Sequence, residues 1–438
     1  MSKRISKVLT AFLFMIFASS AVKAQDGAGL TYSPYSVFGI GDLYPQGTTR
    51  ERAMGGVGIA GRDPRYINLM NPAAISARDT LSFVFDAGMV ADNRVFRQGD
   101  LKSAHNTLNI NNFSCSFPVY KSFSVLFGLT PYSTVGYDYS YDIPDPDLMA
   151  TAGFINYLSS GKGGIYQGFA GFGVEFWKRI SIGAEVMLNF GNISKDSYMG
   201  FSDATFRSMN SGYDMELRAV SGKLGVQYDQ PVGDLHLTLG ATYRTSSKLK
   251  GYVKDYKYAT LGSVVDTVYN RVDTLSALGN VSLASEIGVG ISLKKPEKWL
   301  AEFNYIRSDW TSSGFDTASG FANVGGSVFS TQVSQSFRAG FEYIPNRNDL
   351  RYYLRQCAYR MGAYYEQSYY KLDGNSVNSY GLTLGVTLPV FRWYNGISIG
   401  VDLGRKGSRT GNMTMENYAS VVIGFHIHDM WFRKVRYQ

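Results

Sequence analysis

The sequence predicts an all-β protein, a transmembrane antiparallel β-barrel of about 14 strands with an N-terminal hatch inside its lumen. Three observations predict this fold. Apolar and polar residues alternate along many segments, short turns alternate with longer polar loops, and tryptophans lie at the short turns. The composition agrees, because 48 of the 438 residues are Gly, 32 are Tyr and only 18% are charged.

The beginning of the chain has the features of a secretory signal peptide. Lys3, Arg4 and Lys7 form a positive stretch, residues 8–18 are apolar, and Ala24 ends a small-residue cleavage pattern. A buried N-terminal helix is the alternative. We expect residues 1–24 to be removed and the mature chain to be exported.

Period-two alternation defines the strands. Leu382, Leu384 and Val386 alternate with Gly and Thr, for example, which is the pattern of a strand with one apolar face. Such segments start near residues 80, 105, 122, 164, 179, 213, 234, 280, 298, 331, 353, 377, 395 and 415. Residues 79–438 are therefore assigned to the barrel.

The connections between these segments alternate in length. Longer polar loops are predicted near 93–104, 139–163, 192–212, 249–275, 311–329, 371–376 and 406–413. Short turns at one end and longer loops at the other are typical of barrels in the bacterial outer membrane. An even number of strands then places both termini on the short-turn side, which is the periplasmic side.

Four tryptophans lie at the short turns or just past the last strand: Trp177, Trp299, Trp393 and Trp431. We predict that they anchor the barrel at the periplasmic interface, because Trp favours the boundary between membrane and water. A large soluble β-sandwich with tryptophans at its edges is the alternative. That fold does not explain an apolar face on nearly every strand without covering helices.

Charged residues on the alternating face are predicted to point into the lumen, because charge on the lipid side is costly. The predicted lumen-facing charges are Glu175, Glu185, Glu286, Glu302, Glu342, Arg244, Arg338 and Asp402. Two interpretations stay open for them, a solvated or ion-paired lining and a specific ligand site.

Residues 25–78 do not alternate, are rich in Gly and contain four prolines. A barrel of about 14 strands encloses more space than its own side chains fill. We therefore predict that this segment is a hatch, a compact plug inside the lumen. The arginines expected to pair with inward carboxylates are Arg50, Arg52, Arg62 and Arg65.

Gly56, Gly58 and Gly61 have the G-x-G-x-x-G spacing of a dinucleotide-binding loop. Such a loop needs a strand before it, a helix after it and a parallel sheet around it. Here Pro64 follows closely and no parallel sheet is predicted. The glycines are interpreted as compact backbone packed inside the barrel, and no cofactor is expected.

The stretch ERAMGGVGIAGRDPRYINLMNPAAIS, residues 51–76, resembles the N-terminal region of the FadL/TodX family of outer-membrane transport proteins. The shared pattern is a run of small residues, an Asp and then Asn-Pro-Ala. The matching positions, with a predicted hatch or gating role, are Met54, Gly55, Gly56, Gly58, Ala60, Asp63, Asn71, Pro72 and Ala73. The C-terminal DMWFRKVRYQ resembles the end of such barrels in Bacteroidetes-type bacteria.

The resemblance implies a fourteen-stranded barrel with a hatch through which hydrophobic molecules pass and leave sideways into the membrane. We therefore expect a channel for uptake of hydrophobic compounds. The alternative is a non-transporting barrel subunit of an outer-membrane protein assembly or secretion complex, because the longer loops are polar. The expected partners are outer-membrane lipid and lipopolysaccharide, with hydrophobic small molecules or other outer-membrane proteins. Nucleic acid is excluded, since no basic run is interleaved with aromatic residues.

No enzymatic or metal chemistry is predicted. Ser398 lies in a G-x-S-x-G pattern, but inside an alternating strand rather than at the strand-to-helix turn that a nucleophile needs. His426 and His428 share one strand face without an evident third ligand. Whether Cys115 and Cys357 form a disulfide is left open, because their separation in space cannot be read from the sequence.

Overall fold

The computed structural model describes residues 31–79, 81–120, 122–143, 146–203, 205–262, 264–322, 327–390, 395–410 and 413–430. Three sequence predictions lie outside these residues. They are the signal peptide 1–24 and the interface anchors Trp393 and Trp431.

Antiparallel strands dominate the described residues, and fourteen of them form one closed barrel there. They are β1 (Ser82–Gln98), β2 (Leu101–Tyr120), β3 (Phe123–Asp142), β4 (Ile155–Phe176), β5 (Ile180–Phe201), β6 (Ser208–Val232), β7 (Leu235–Arg244 and Lys250–Leu261), β8 (Val264–Thr274 and Ser285–Lys295), β9 (Trp299–Asp309), β10 (Phe329–Thr331 and Val333–Tyr343), β11 (Ala358–Leu372), β12 (Asn375–Pro389), β13 (Gly396–Lys406) and β14 (Met415–Met430). Pairing of β14 with β1, from Met430 opposite Ser82 to Met415 opposite Arg97, closes the ring. This confirms the predicted barrel fold.

Helices and isolated short strands contribute little to the described chain. The 3₁₀ helices are Pro34–Val37, Pro72–Ala77 and Leu275–Ala277, the α-helices are Thr49–Arg52, Pro146–Ala152 and Tyr353–Gln356, and the short strands are Asp42–Leu43, Ser247–Lys248 and Ser282–Leu283. Every helix among the described residues is too short or too polar to traverse a bilayer.

Side-chain exposure alternates along the strands, with the apolar side chains outside. On β5, Ile182, Val186 and Leu188 are 46–57% exposed, whereas Ser181 and Asn189, at alternate positions on the other face, are buried. Lipid outside and polar groups inside require this arrangement. The outward apolar residues therefore form the lipid-facing band of the barrel.

Several predicted loops are strands instead. β5 continues to Phe201, β6 begins at Ser208, and most of the predicted loop 249–275 is a hairpin of Lys250–Leu261 paired with Val264–Thr274. Beyond the lipid band both faces of a strand meet water, so alternation fades although the hydrogen-bonded ladder continues. Period-two reading misses such strands because it depends on one apolar face.

The wall has a seam between β2 and β3. Their pairing ends at Phe113 opposite Leu129, although both strands continue beyond these residues. Past that point the two-residue strand Asp42–Leu43 pairs with Thr134 and Ser133 of β3. A segment that precedes the barrel in the sequence thus takes the place of a neighbouring strand.

Cys115 on β2 and Cys357 just before β11 are both buried and free. The disulfide that the sequence left open is not formed between them in this structure.

The lipid-facing band gives the first prediction. Leu224→Arg, on the outward face of β6 between Tyr228 and Arg218, should lower the free energy of unfolding in a lipid bilayer by about 2–4 kcal/mol, because it exposes a charge to the middle of the band. Unfolding in urea, followed by the mobility shift of folded barrels on gels, measures the change.

Val265→Arg is the matched control, because Val265 is 61% exposed against 55% for Leu224 but lies on the hairpin beyond the band. We expect it to change stability little. Equal effects at the two positions would contradict the assignment of the band.

Candidate functional site within the barrel

The described N-terminal segment, residues 31–79, lies within the ring of strands and extends from its loop end to its short-turn end. Near the loop end, the Ser33 amide donates to the Gly136 carbonyl at 2.8 Å. Near the short turns, Pro72–Ala77 packs on β4 and β5. The described part of the segment thus begins at the loop end. The N-terminus itself lies outside the described residues, so its predicted periplasmic position stays a prediction.

The stretch Met54–Gly56 touches the wall through its backbone. Gly55 and Gly56 have φ of +74° and +76°, which favours glycine. A Cβ on the wall residue Gly362 would lie 2.3 Å from the Gly55 amide nitrogen, and the Gly55 amide donates to Thr383 Oγ1 at 2.8 Å. Glycines on both sides therefore bring the two backbones into contact.

The rest of the glycine motif is also occupied by the protein itself. The Ala60 amide donates to Glu302 Oε1 at 2.9 Å, and Asn68 Nδ2 donates to the carbonyls of Gly58 and Gly61 at 2.6 and 2.8 Å. A Cβ on Gly58 would lie 2.8 Å from Met70 Cγ. The G-x-G-x-x-G residues thus form a compact turn, and the Glu302 carboxylate of the wall already accepts the hydrogen bond of the Ala60 amide.

Asn71, Pro72 and Ala73 join the segment to β5 and β6. Asn71 Oδ1 accepts from the Ala73 amide at 3.0 Å and so caps the 3₁₀ helix, while its Nδ2 donates to the Ile59 carbonyl at 2.7 Å. A Cβ on Gly225 of β6 would lie only 2.1 Å from Asn71 Oδ1. The wall is therefore shaped to the Asn-Pro-Ala turn.

Glu342 of β10 connects the segment to the wall by charge. Arg50 donates two hydrogen bonds to its carboxylate, both at 3.1 Å, and Arg360 of β11 donates a third at 2.7 Å. All three side chains are at least 87% buried. Removing one partner would leave a buried charge uncompensated, which is strongly destabilising.

A second group of charges lies nearer the short turns. Arg62 pairs with Glu175 at 3.0 Å, and Asp63 contacts Arg65 at 3.1 Å and Lys294 at 3.2 Å. Burial alone would raise the pKa of Asp63, but Lys294 and Arg65 hold it well below the usual range. Asp63 is therefore a permanent anion of the segment.

Of the four segment arginines predicted to pair with inward carboxylates, Arg50 and Arg62 do so. The other two do not. Arg65 pairs with Asp63 of its own segment and with Glu297 in a short turn, and Arg52 donates to Asn111 at 2.7 Å. An inward amide on β2 thus takes the place of the expected carboxylate for Arg52.

A cavity of about 220 Å³ lies between the segment and the wall. The charged residues that line it are Asp42, Arg52, Asp92, Arg94, Glu185, Lys223, Arg244, Glu286, Arg338, Glu366, Asp402 and Lys406. Many are paired, as in Arg244–Glu286 at 2.9 Å and Arg338–Glu366 at 2.6 Å, and Asp402 accepts from Tyr364 at 2.8 Å. Aliphatic and aromatic side chains such as Ile59, Met70 and Phe169 complete the lining. An apolar molecule in the cavity would therefore contact buried charged groups as well as apolar surface.

The loop end is closed by apolar side chains that the sequence analysis does not single out. They are Phe38 and Ile40 of the segment, Trp310, Phe315 and Phe321 of the loop after β9, and Tyr369 and Tyr370 of β11. Lys195 of β5 lies beside this loop-end cluster and donates to the carbonyls of Val37 at 2.7 Å and Gly320 at 2.9 Å. The signal for the closure is the recurrence of aromatic residues in a Gly/Ser-rich loop.

The described tryptophans divide between surface and interior. Trp177 is 85% exposed in the short turn after β4. Trp299 begins β9 with its ring 6.5 Å from that of Phe341, and Trp310 is fully buried in the loop-end cluster. Trp177 and Trp299 thus lie on the short-turn side, whereas Trp310 belongs to the interior.

Among the described residues no group of His, Cys, Asp and Glu has the arrangement of a metal site. His426 is buried and stacks on Tyr66, with ring centroids 4.5 Å apart. Ser398 is buried within β13 and hydrogen-bonded to Thr387 at 2.6 Å.

One protein family matches the whole chain: the family model described as BamG matches residues 1–438. The chain belongs to the BamG family. No curated protein matches the sequence.

Solved structures show the fold of this BamG-family chain in other proteins. The toluene transporter TbuX of Ralstonia pickettii is 15% identical, with a TM-score of 0.54 over 90% of this chain and 98% of its own. The CymD monoaromatic hydrocarbon channel is 12% identical, with a TM-score of 0.56 over 90% and 100% of the two chains. A FadL homologue of Pseudomonas aeruginosa is 11% identical, with a TM-score of 0.57 over 89% and 99%. The predicted resemblance to FadL/TodX barrels is thus confirmed for the fold.

The Asn-Pro-Ala turn gives the second prediction. Gly225→Val should displace the segment from the wall, because its side chain would overlap Asn71 and Pro72. We expect trypsin to cleave the folded barrel within residues 50–78 and stability to fall by about 1–3 kcal/mol.

Gly222→Val on the same strand is the control, since the nearest atoms to its Cβ are 3.9 Å away. If the segment resists trypsin in both variants, its position in the barrel does not depend on the contact between Gly225 and the Asn-Pro-Ala turn.

Glu51 gives the third prediction. Burial raises the pKa of its carboxyl from 4.5 to about 8, despite the hydrogen bond from the Thr48 amide and the nearby Arg50. The folded state therefore binds this proton more tightly than the unfolded state does, and stability should fall as pH rises from about 4.5 to 8. Glu51→Gln should remove part of this decrease, on the order of a few kcal/mol.

Hydrogen exchange of the segment between pH 5 and pH 9 measures this effect. After correction for the intrinsic pH dependence of exchange, amide protection of the segment should fall more steeply with pH in the wild type than in the Glu51→Gln variant. Parallel profiles for the two proteins would contradict the assignment of the titrating group.

Proposed function

We propose that this protein is a non-conducting barrel subunit of an outer-membrane protein assembly complex. The observation that carries the proposal is the filled lumen. The segment bonds to strands around the ring, and charged pairs line part of the cavity that remains, beside aliphatic and aromatic side chains. An apolar solute passing this lining would separate ions in a medium of low dielectric, which is costly.

Membership of the BamG family, which spans the entire chain, supports a role distinct from that of the transporters that share the fold. The likeness to those transporters rests on 11–15% identity and concerns the fold alone. The proposed barrel lies in the outer membrane with its short turns, and its C-terminus, in the periplasm. Its long hairpins then extend beyond the membrane on the cell-surface side, where they offer area to partner proteins.

A channel for uptake of hydrophobic compounds is the second candidate, and the seam between β2 and β3 favours it. Only the segment bridges the wall there, through Asp42 and Leu43 opposite Thr134 and Ser133 among the described residues. Withdrawal of the segment would open a lateral path from the lumen into the lipid. The solved structures with this fold include a toluene transporter and a monoaromatic hydrocarbon channel.

One experiment separates the two candidates. An affinity tag inserted at Gly374, an open turn between β11 and β12, allows recovery of the protein from outer membranes in mild detergent. We expect stoichiometric recovery of other outer-membrane proteins in one high-mass species, identified by mass spectrometry. Recovery of the barrel alone would contradict the subunit proposal.

A disulfide lock completes the experiment. Leu43→Cys with Ser133→Cys, in a chain whose Cys115 and Cys357 are replaced by Ser, joins directly opposite strand residues at a separation that suits a disulfide. For a subunit, oxidation leaves the yield of the complex unchanged. For a channel, oxidation abolishes uptake of a hydrophobic compound and reductant restores it.

A further inference from the structure

A groove of about 460 Å³ lies on the outer surface of the wall, across β4, β5 and β6. Its sides include Tyr166, Phe190, Glu216 and Arg218. Phe190 is 45% exposed and the Arg218 side chain 68% exposed, so the groove opens outward and is separate from the lumen.

Glycines form the floor of the groove. Gly164 of β4 and Gly191 of β5 both line it, and a Cβ on Gly191 would lie only 2.0 Å from the Gly164 carbonyl oxygen. The two strands approach so closely that no side chain fits between them. The wall is therefore thin here, and a depression is left between the larger side chains.

The groove lies at the edge of the lipid-facing band away from the short turns. On β5 the outward apolar series runs through Leu188 and ends at Phe190, and Asn192 follows on the same face. On β6 the outward series ends in the same way at Val220, followed by Arg218 and Glu216. A molecule in the groove thus meets apolar surface on one side and polar surface on the other.

A row of outward side chains crosses four strands at this height. Tyr166 is opposite Phe190, Phe190 is opposite Arg218, and Arg218 is opposite Lys250 of β7. Like charges directly opposite each other on a sheet are destabilising. Glu216 pairs with Arg218, whereas no ion pair of Lys250 is found among the described residues. The row therefore carries excess positive charge beside two aromatic rings.

We propose that this groove binds the phosphorylated sugar headgroup of a glycolipid in the outer leaflet. The phosphate would accept hydrogen bonds from Arg218 and Lys250, and the sugar would pack on Tyr166 and Phe190. The acyl chains would run down the apolar face past Leu188. The proposal rests on the orientation given under the proposed function, with the long hairpins toward the cell surface.

Charge complementarity selects this occupant. Arginine binds phosphate with strong charge-assisted hydrogen bonds, and the apolar edge adds burial for acyl chains that a soluble anion lacks. Glu216 competes with the phosphate for Arg218. Removing the Glu216 carboxylate should therefore strengthen binding of the glycolipid, whereas removing the cations should weaken it.

The test is native mass spectrometry of the purified full-length barrel in detergent, titrated with bisphosphorylated lipid A. Arg218→Ala with Lys250→Ala should weaken binding at least ~10-fold, and Glu216→Gln should strengthen it about 3-fold, as expected for charge-assisted hydrogen bonds. Arg307→Ala is the control. Arg307 is an exposed residue of β9 near Asp309, but it lies opposite Gln335 rather than a second cation.

Equal affinity of the wild type and the double variant would overturn the proposal. Displacement of lipid A by millimolar inorganic phosphate would also overturn it, because the groove would then select a free anion. Because the assay uses the isolated barrel, a failure to recover partner proteins leaves its outcome unaffected, and the two proposals fail independently.

Discussion

The contact between Met54–Gly56 and the inner wall is the constraint on which the rest of the interior depends. Gly55 can meet Gly362 backbone to backbone because neither residue has a side chain in the way. This close approach places Arg50 at Glu342, and the next turn places the Ala60 amide at Glu302. Arg50, Arg62 and the Ala60 amide thus reach their carboxylate partners on the wall only when the segment occupies this position.

Below the apolar loop-end cluster, many charged and polar side chains are buried inside the barrel, whereas its outer face is apolar. Buried charges are tolerable only when they are paired and hydrogen-bonded. Here Glu342 receives three hydrogen bonds from Arg50 and Arg360, and Asp63 lies between Arg65 and Lys294. A solute crossing the lumen would have to separate these ion pairs. We therefore favour a structural role over a conducting one.

The seam between β2 and β3 shows that the N-terminal segment forms part of the wall. The segment contributes the short strand Asp42–Leu43 to β3, and Tyr44 continues this contact by donating its amide to the Tyr132 carbonyl at 2.9 Å. The loop-end cluster then covers the same end of the lumen. A glycolipid in the outer groove on β4 to β6 would lie away from this seam, so the two features can act independently.

The sequence by itself determined the barrel, because period-two alternation is a local property that each strand carries alone. Leu382 and Leu384 face lipid whatever their neighbours are, and most predicted strand starts agree with the structure. The sequence also marked the Asn-Pro-Ala turn, although the role of the segment as a hatch stays a prediction. Where both faces meet water, as along Val264–Thr274, alternation is absent and period-two reading does not find the strand.

Only the tertiary structure decided which charges meet, since Arg50 and Glu342 are separated by 292 residues and no local pattern links them. It also decided that Arg52 would bind Asn111, that Trp310 would be buried, and that aromatic residues from the segment, a loop and β11 would close one end. These pairings depend on strand register and on the path of the segment through the lumen. Both are properties of the closed ring, and a linear sequence does not carry them.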